Sequence, residues 1–240
     1  MKIIITKDYE ELSAKAAEIL LGVVEQNPRA VLGLATGTTP LGLYAKMIAD
    51  HRENGTDYSQ IRTVNLDEYK GLPKTHGQSY AYFMRKNLFE GLGITPGQTN
   101  IEDGTAEDDK AECARYDALL EALPRDIQLL GLGSNGHIAF NEPGTPFGGG
   151  THVVALAEST VRDNARLFKD ISEVPRKAFT MGIRQIMQAK KVLILASGAN
   201  KAEAVYKMVK GDVTEKVPAS VLQLHPDCTL IADEAAGGKL

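Results

Sequence analysis

Short, uninterrupted apolar runs alternate with helical patterns along almost all of this 240-residue chain, and that alternation narrows the fold more than any other feature. Ile3–Ile5, Ala30–Ala35, Arg62–Leu66, Ile127–Leu132, Val153–Leu156, Val192–Ala196 and Thr229–Ala232 read as strands. Leu12, Ala16, Ile19, Leu20 and Val23 recur at helical spacing. Further helices are expected over Leu41–Asn54, Ser79–Leu92, Ala106–Leu123, Thr180–Ala189 and Asn200–Val209. Strands that lack polar alternation are buried on both faces, as in a parallel sheet covered by helices. The expected architecture is one α/β domain over 1–240, with a mainly parallel central sheet and helices on both faces. In open sheets of this type, ligands sit at the carboxyl ends of strands, near the point where the strand order reverses.

Composition excludes several classes of partner. The 27 Lys and Arg against 31 Asp and Glu leave a formal charge of −4, which gives no broad attraction to nucleic acid or to anionic membranes. No apolar stretch approaches the roughly 20 residues needed to span a bilayer. The N-terminal run Met1–Thr6 is too short for a signal peptide. Cys113 and Cys228 are isolated and form no framework, which suits a reducing, cytoplasmic setting. Glycine, at 23 residues, is the outlier, about a tenth of the chain against a usual ~7%.

The glycines concentrate at strand ends. After Ala35 comes Thr36-Gly37-Thr38-Thr39-Pro40, which is either a well-capped tight turn or a cradle of free amides and hydroxyls for an anion. It is neither a Walker A loop nor a dinucleotide fingerprint. After Ala196 comes Ser197-Gly198-Ala199-Asn200-Lys201, with Lys201 in the first turn of a helix, where the helix dipole disfavours a cation unless an anion lies between. After Leu66 come Asp67 and Glu68, either an exposed turn or a general base at the ligand edge. After Leu132, the stretch Gly133-Ser134-Asn135-Gly136-His137 runs on to Phe140-Asn141-Glu142-Pro143. His137 and Glu142 are not at metalloprotease spacing, and no cluster offers metal ligands. His51, His76, His152 and His225 stand alone and read as surface or structural residues.

Together these motifs resemble the glucosamine-6-phosphate deaminase (isomerase) family, in a short form, over nearly the whole chain. The most specific pieces are the Thr36–Pro40 turn, Asn65-Leu66-Asp67-Glu68-Tyr69-Lys70-Gly71-Leu72-Pro73, and Asn135 through Pro143, with Ser220–Pro226 in support. The resemblance implies a Rossmann-like sheet and a sugar-phosphate substrate, glucosamine 6-phosphate, converted with water to fructose 6-phosphate and ammonia. It assigns ring opening to His137, with Glu142 and Asn135 supporting, and proton transfer from C2 to C1 to Asp67. It gives phosphate binding to Thr36, Gly37, Thr38, Thr39, Arg166 and Lys201, and a lid to the segment at about 145–175. It calls for no metal and no organic cofactor. Some members carry Asp in place of Asn135, so an orienting role suits that position better than proton transfer. Longer members are hexamers activated by N-acetylglucosamine 6-phosphate through a basic site. Thr151-His152-Val153-Val154-Ala155 supplies no Lys or Arg there, so weak or absent activation is expected. Self-association is left open.

Two other readings compete. 6-Phosphogluconolactonase shares the fold and a similar Thr-Gly turn, but lacks the Phe140–Pro143 continuation and the Leu66–Pro73 run. A non-catalytic sugar-phosphate sensor would carry a helix-turn-helix or a basic face, and neither is present in this sequence.

Overall fold

The computed structural model describes residues 1–156, 168, 170 and 173–240. Its strands are β1 (Lys2–Thr6), β2 (Val31–Leu34), β3 (Arg62–Asn65), β4 (Asp67–Tyr69) and β5 (Thr99–Asn100). They continue with β6 (Ile127–Gly131), β7 (His152–Ala155), β8 (Lys177–Thr180), β9 (Val192–Ala196) and β10 (Cys228–Asp233). Seven of these form one sheet in the order β1-β10-β9-β6-β2-β3-β5, and every neighbouring pair is parallel. The expected parallel sheet is therefore present. Its inner strands β2 and β9 are buried along their whole length, which is why they read as unbroken apolar runs. Edge strand β1 instead leaves Ile3 and Ile5 exposed.

Helices pack around this sheet and form one continuous core with it, from Leu12 to Ala236. The helix Tyr9–Gln26 starts at Asp8, whose side chain accepts from the Glu11 N–H, and buries Leu12, Ala16, Leu20 and Val23. The helix Leu41–Asn54 begins one residue after Pro40 and stops at Gly55, whose φ of 76° ends it in the left-handed region. Two tyrosines fix how its first turn meets the sheet. The Tyr44 hydroxyl donates to the Ala35 carbonyl at 2.6 Å. The Tyr9 hydroxyl accepts from the Gly42 N–H at 2.9 Å and donates to the Thr39 carbonyl at 3.0 Å.

Three expectations are corrected by a second, antiparallel sheet of order β4-β8-β7. Val153–Leu156 does give a strand, β7, but it belongs to this small sheet. Asp67 and Glu68 are not a turn beyond β3. They form β4, with Asp67 opposite Thr180 in the ladder. Helix was expected from Thr180, yet Lys177–Thr180 is strand β8 and only Ile183–Ile186 is helical. Long-range pairing to β4 and β7 overrides the local helical pattern there.

The strand order sets the ligand edge. From β2 the chain moves outward to β3 and β5; from β6 it moves the other way, to β9 and β10. The carboxyl ends of the adjacent β2 and β6 therefore flank a crevice at the switch point. Gly182, just past β8, makes one close approach near it: a Cβ there would fall 2.2 Å from the Gly149 carbonyl oxygen and 2.3 Å from that of Gly150. Backbone cannot swing aside as a side chain does. Gly182→Ala is expected to lower stability by about 1–3 kcal/mol, read as a clear fall in melting temperature; an unchanged melt would show that the two segments separate freely.

Candidate active site

The switch-point crevice holds a cleft of about 280 Å³, lined by the ends of β2, β4 and β6 and by Lys201. At the β2 end, Thr36, Gly37 and Thr39 line it. Gly37 has a φ of 90°, a conformation that costs glycine little and other residues much, so the chain turns sharply and presents its backbone to the cleft. Thr38 does not line it. That residue faces an adjoining shallow groove with Tyr9, Leu41 and Ser197.

The turn after β9 proves already occupied. The Ser197 hydroxyl donates to Asp233 at 2.5 Å, and the Gly198 N–H donates to both oxygens of the same carboxylate at 3.0 and 3.1 Å. Asp233 also caps the helix Glu234–Gly237 through the Ala236 N–H. Only Lys201 of this segment reaches the cleft. It is half-buried, has no ion-pair partner among the described residues, and burial holds its pKa below the usual lysine value. An unpaired, partly desolvated ammonium beside free turn amides is a seat for an anion.

On the opposite wall the two neighbouring acids part company. Glu68 is fully buried and accepts from the N–H groups of Tyr69, Tyr80 and Ala81 at 2.8, 2.9 and 2.9 Å. It thereby satisfies the free amides at the start of the helix Tyr80–Met84. Burial still pushes its pKa up, against those three donors. Asp67 points to the other face of β4, as successive strand residues must. It lines the cleft, is only 7% exposed, and its carboxylate accepts no hydrogen bond among the described residues. Burial first, and the charge of Glu68 second, raise its pKa to about 8. A desolvated, unengaged carboxylate of this kind is suited to remove a proton from a weak carbon acid.

The third wall is the loop after β6. Gly133 lies directly under the His137 ring: a Cβ there would fall 2.5 Å from it, so only glycine fits. Gly136, with φ 88°, and Ala139, with φ 52°, turn the chain tightly on either side of the imidazole. His137 Nδ1 lies 3.3 Å from Glu142 Oε1, an electrostatic pairing without an aligned N–H. Asn135 Nδ2 donates to Glu142 Oε2 at 2.7 Å, and Asn135 Oδ1 accepts the His137 N–H at 3.1 Å. The imidazole first, then the Asn135 amide, hold Glu142 below the usual carboxylate range. His137 lines the cleft, whereas Asn135 and Glu142 stand behind it.

A family model described as glucosamine-6-phosphate isomerases/6-phosphogluconolactonase matches residues 7–231. The chain belongs to that family. Glucosamine-6-phosphate deaminase from Geobacillus sp. (strain WCH70) is 52% identical over 98% of this chain and 94% of its own length. Its counterpart from Clostridioides difficile (strain 630) is 48% identical over 100% and 97%. Among solved structures, a monomeric glucosamine-6-phosphate deaminase superposes with a TM-score of 0.96 at 47% identity, covering 100% of both chains. A 6-phosphogluconolactonase from Trypanosoma cruzi reaches 0.79 at 20% identity, over 100% of this chain and 96% of that one, and so shares the fold.

In this member of the glucosamine-6-phosphate isomerase/6-phosphogluconolactonase family, one cleft brings together Thr36, Gly37, Thr39, Asp67, His137 and Lys201. Arg166 lies outside the described residues, as does part of the segment at about 145–175 expected to form a lid. Thr145–Gly150 is described and is tied down on either side: the Gly144 N–H donates to Glu215 O at 2.7 Å and the Thr151 N–H to Asp117 at 2.9 Å. Among the described residues no group of three or more His, Cys, Asp or Glu side chains is placed to hold a metal ion. Ser134 and Phe140, motif residues to which the sequence assigns no role, and Tyr80, which it does not single out, also line the cleft. Tyr80 donates to the Tyr69 hydroxyl at 3.2 Å, and its ring stacks against Phe140 with centroids 6.2 Å apart. The i, i+11 spacing of the two tyrosines carries no local signal; only the β4–helix packing unites them.

The buried Asp67 has a measurable stability signature. The folded chain keeps this proton to about pH 8, whereas an unfolded aspartate releases it near ~4. Between those values the unfolded state binds fewer protons, so this group makes stability fall as pH rises. Asp67→Asn removes that slope. The variant should melt above the parent at pH 8, with the gap closing toward about pH 4; a variant that melts lower at pH 8 would show the carboxylate to be stabilising.

Proposed function

We propose that this chain converts glucosamine 6-phosphate and water to fructose 6-phosphate and ammonia, in the cytoplasm, as a step in amino sugar breakdown. The observation that carries this reading is the desolvated, unengaged Asp67 carboxylate facing a cleft that also holds the His137–Glu142 pair and the unpaired Lys201. Hydrolysis of a lactone needs no base for a carbon-bound proton, and the relatives near 50% identity are named deaminases.

In this reading Lys201 and the Thr36, Gly37 and Thr39 turn receive the phosphate, with Thr38 carrying the turn and Arg166 added by the family resemblance. His137 Nδ1 is turned toward Glu142, which leaves Nε2 for the sugar oxygens. The imidazole moves a proton from the C1 hydroxyl to the ring oxygen, and the pyranose opens to an aldehyde. Glu142, kept ionised, steadies the imidazolium, and Asn135 fixes the Glu142 carboxylate. Asp67 then takes the proton from C2, the C–H electron pair forms a C1–C2 double bond, and an ammonium proton passes to the C1 oxygen, giving an enolamine. The same carboxyl returns a proton to C1, which leaves a C2 iminium that water hydrolyses to the ketone and ammonia. No step requires a metal or an organic cofactor.

Ammonia release from glucosamine 6-phosphate, run beside hydrolysis of 6-phosphogluconolactone, tests the assignment directly. Only the first should proceed; the reverse result would move the chain to lactonase chemistry. Asp67→Asn should lower kcat by at least about 100-fold with KM little changed, because the phosphate contacts lie elsewhere. Since the base must be ionised, kcat/KM of the parent should climb as pH approaches about 8. An acidic limb at the ordinary aspartate pKa would show that Asp67 is not held protonated in the cleft, while retention of that limb in Asp67→Asn would rule it out as the base.

His137→Gln separates ring opening from isomerisation. The variant should lose at least about 10-fold more activity on the closed pyranose than on an open-chain analogue. Equal losses on both substrates would remove His137 from the ring-opening step.

A further inference from the structure

Tyr80 meets every wall of the substrate cleft, yet the steps given to Asp67, His137 and Lys201 leave it without a task. It lines the cleft from the first turn of the helix Tyr80–Met84. Its hydroxyl donates to the Tyr69 hydroxyl on β4 at 3.2 Å. Thr36, in the turn after β2, hydrogen-bonds the same phenol through its side chain. The Tyr80 ring lies nearly parallel to that of Phe140, on the His137 loop, with 12° between the planes.

The side chain is held in place from behind. The Tyr80 N–H donates to Glu68 at 2.9 Å, and Ser79 caps the helix by accepting the Tyr82 N–H at 3.1 Å. The Tyr69 ring packs on both neighbours, its centroid 4.6 Å from that of Tyr80 and 6.1 Å from that of Phe140. Phe140 is itself anchored, since its N–H donates to the buried Thr180 hydroxyl. A hydroxyl fixed this firmly needs little further ordering to bind a ligand.

The chemistry of the phenol says what it can offer. Burial first, with Tyr69 and the charge of Asp67 adding to it, holds its pKa well above the usual tyrosine value, so it stays neutral. Its hydrogen is committed to Tyr69, and its oxygen is left to accept. Its position says where. Tyr69 lies two residues beyond Asp67 and shares its face of β4, while Thr36 belongs to the turn that receives the phosphate. The phenol therefore stands between the seat for the phosphate on C6 and the base for the proton on C2. The carbons between them carry hydroxyls at C3 and C4, and each of those can donate.

We infer that Tyr80 is a specificity-determining residue of this cleft, its hydroxyl accepting a hydrogen bond from the C3 or the C4 hydroxyl of the bound sugar phosphate. The inference rests on the reaction proposed above and adds to it the group that reads the middle of the sugar. A site that hydrogen-bonds a substrate hydroxyl discriminates against the analogue lacking it. A role exerted only through Thr36 or β4 behaves differently, because a loosened wall penalises every substrate by the same factor.

Tyr80→Phe keeps the ring and the main-chain bond to Glu68, and its folding is checked by thermal melting. Ammonia release is measured for parent and variant on glucosamine 6-phosphate and on its 3-deoxy and 4-deoxy analogues. With the parent, one analogue should lose at least about 5-fold in kcat/KM, the worth of one neutral hydrogen bond. Tyr80→Phe should lose a similar factor on the full substrate and on the other analogue. On the analogue that lacks the contacted hydroxyl, the substitution should change kcat/KM by no more than about 2-fold, since the two groups are then one interaction. Tyr80→Met repeats the comparison in a second packing background. An equal penalty on all the substrates, or a parent indifferent to both deoxy analogues, would overturn this inference and leave the reaction standing. No ammonia from glucosamine 6-phosphate with the parent would remove the reaction and this inference with it.

Discussion

The antiparallel pairing of β8 with β4 holds the Asp67 and His137 walls of the cleft in register. It places Asp67 opposite Thr180, over the carboxyl edge of the parallel sheet. Thr180, itself fully buried, accepts the Phe140 N–H on its hydroxyl at 3.2 Å. One residue on, the Met181 carbonyl accepts from the Asn141 side chain at 2.9 Å. A single short strand thus grips the strand that carries Asp67 and the loop that carries His137. Neither half reaches the cleft by its own local preferences, because Asp67 is a buried acid and the His137 loop passes through a non-glycine positive φ at Ala139. The second sheet supplies the interactions that make both tolerable.

Alternation along β4 divides labour between adjacent carboxylates. Glu68 looks inward to three amides and anchors the Tyr80 helix, while Asp67 looks into the cleft with nothing to bind. Removing ligands from one acid and concentrating them on its neighbour leaves the unengaged one as the better proton acceptor, at about pKa 8 against an ordinary ~4. The proximity of Glu68 adds to the same shift rather than opposing it.

The sequence disclosed the parts of this arrangement whose causes are local. Buried parallel strands leave continuous apolar runs, and β2, β6, β9 and β10 were read from them. The Gly37 turn, Lys201 in its helical first turn and the glycine-bracketed His137 loop were visible for the same reason. What stayed hidden depends on partners far along the chain. β4 is Asp-Glu-Tyr, and nothing in those residues announces a strand until Thr180 and Phe179 lie beside it. β5 has two residues and no pattern at all. Ser197-Gly198 offered itself as an anion turn because Asp233, which fills it, arrives from β10 some 35 positions later. Thr38 and Thr39 are chemically alike, and only the path of the backbone decides which of them meets the cleft.

Gly133 sits beneath the His137 ring with no side chain between imidazole and main chain. The direction in which that ring faces the cleft is consequently set by the backbone just past β6, rather than by a neighbouring side chain that mutation could trim or enlarge. The aim of the imidazole is thus fixed by main chain, separately from the Asn135–Glu142 pair behind it. Re-aiming the ring means shifting the end of a strand clamped by β2 on one side and β9 on the other.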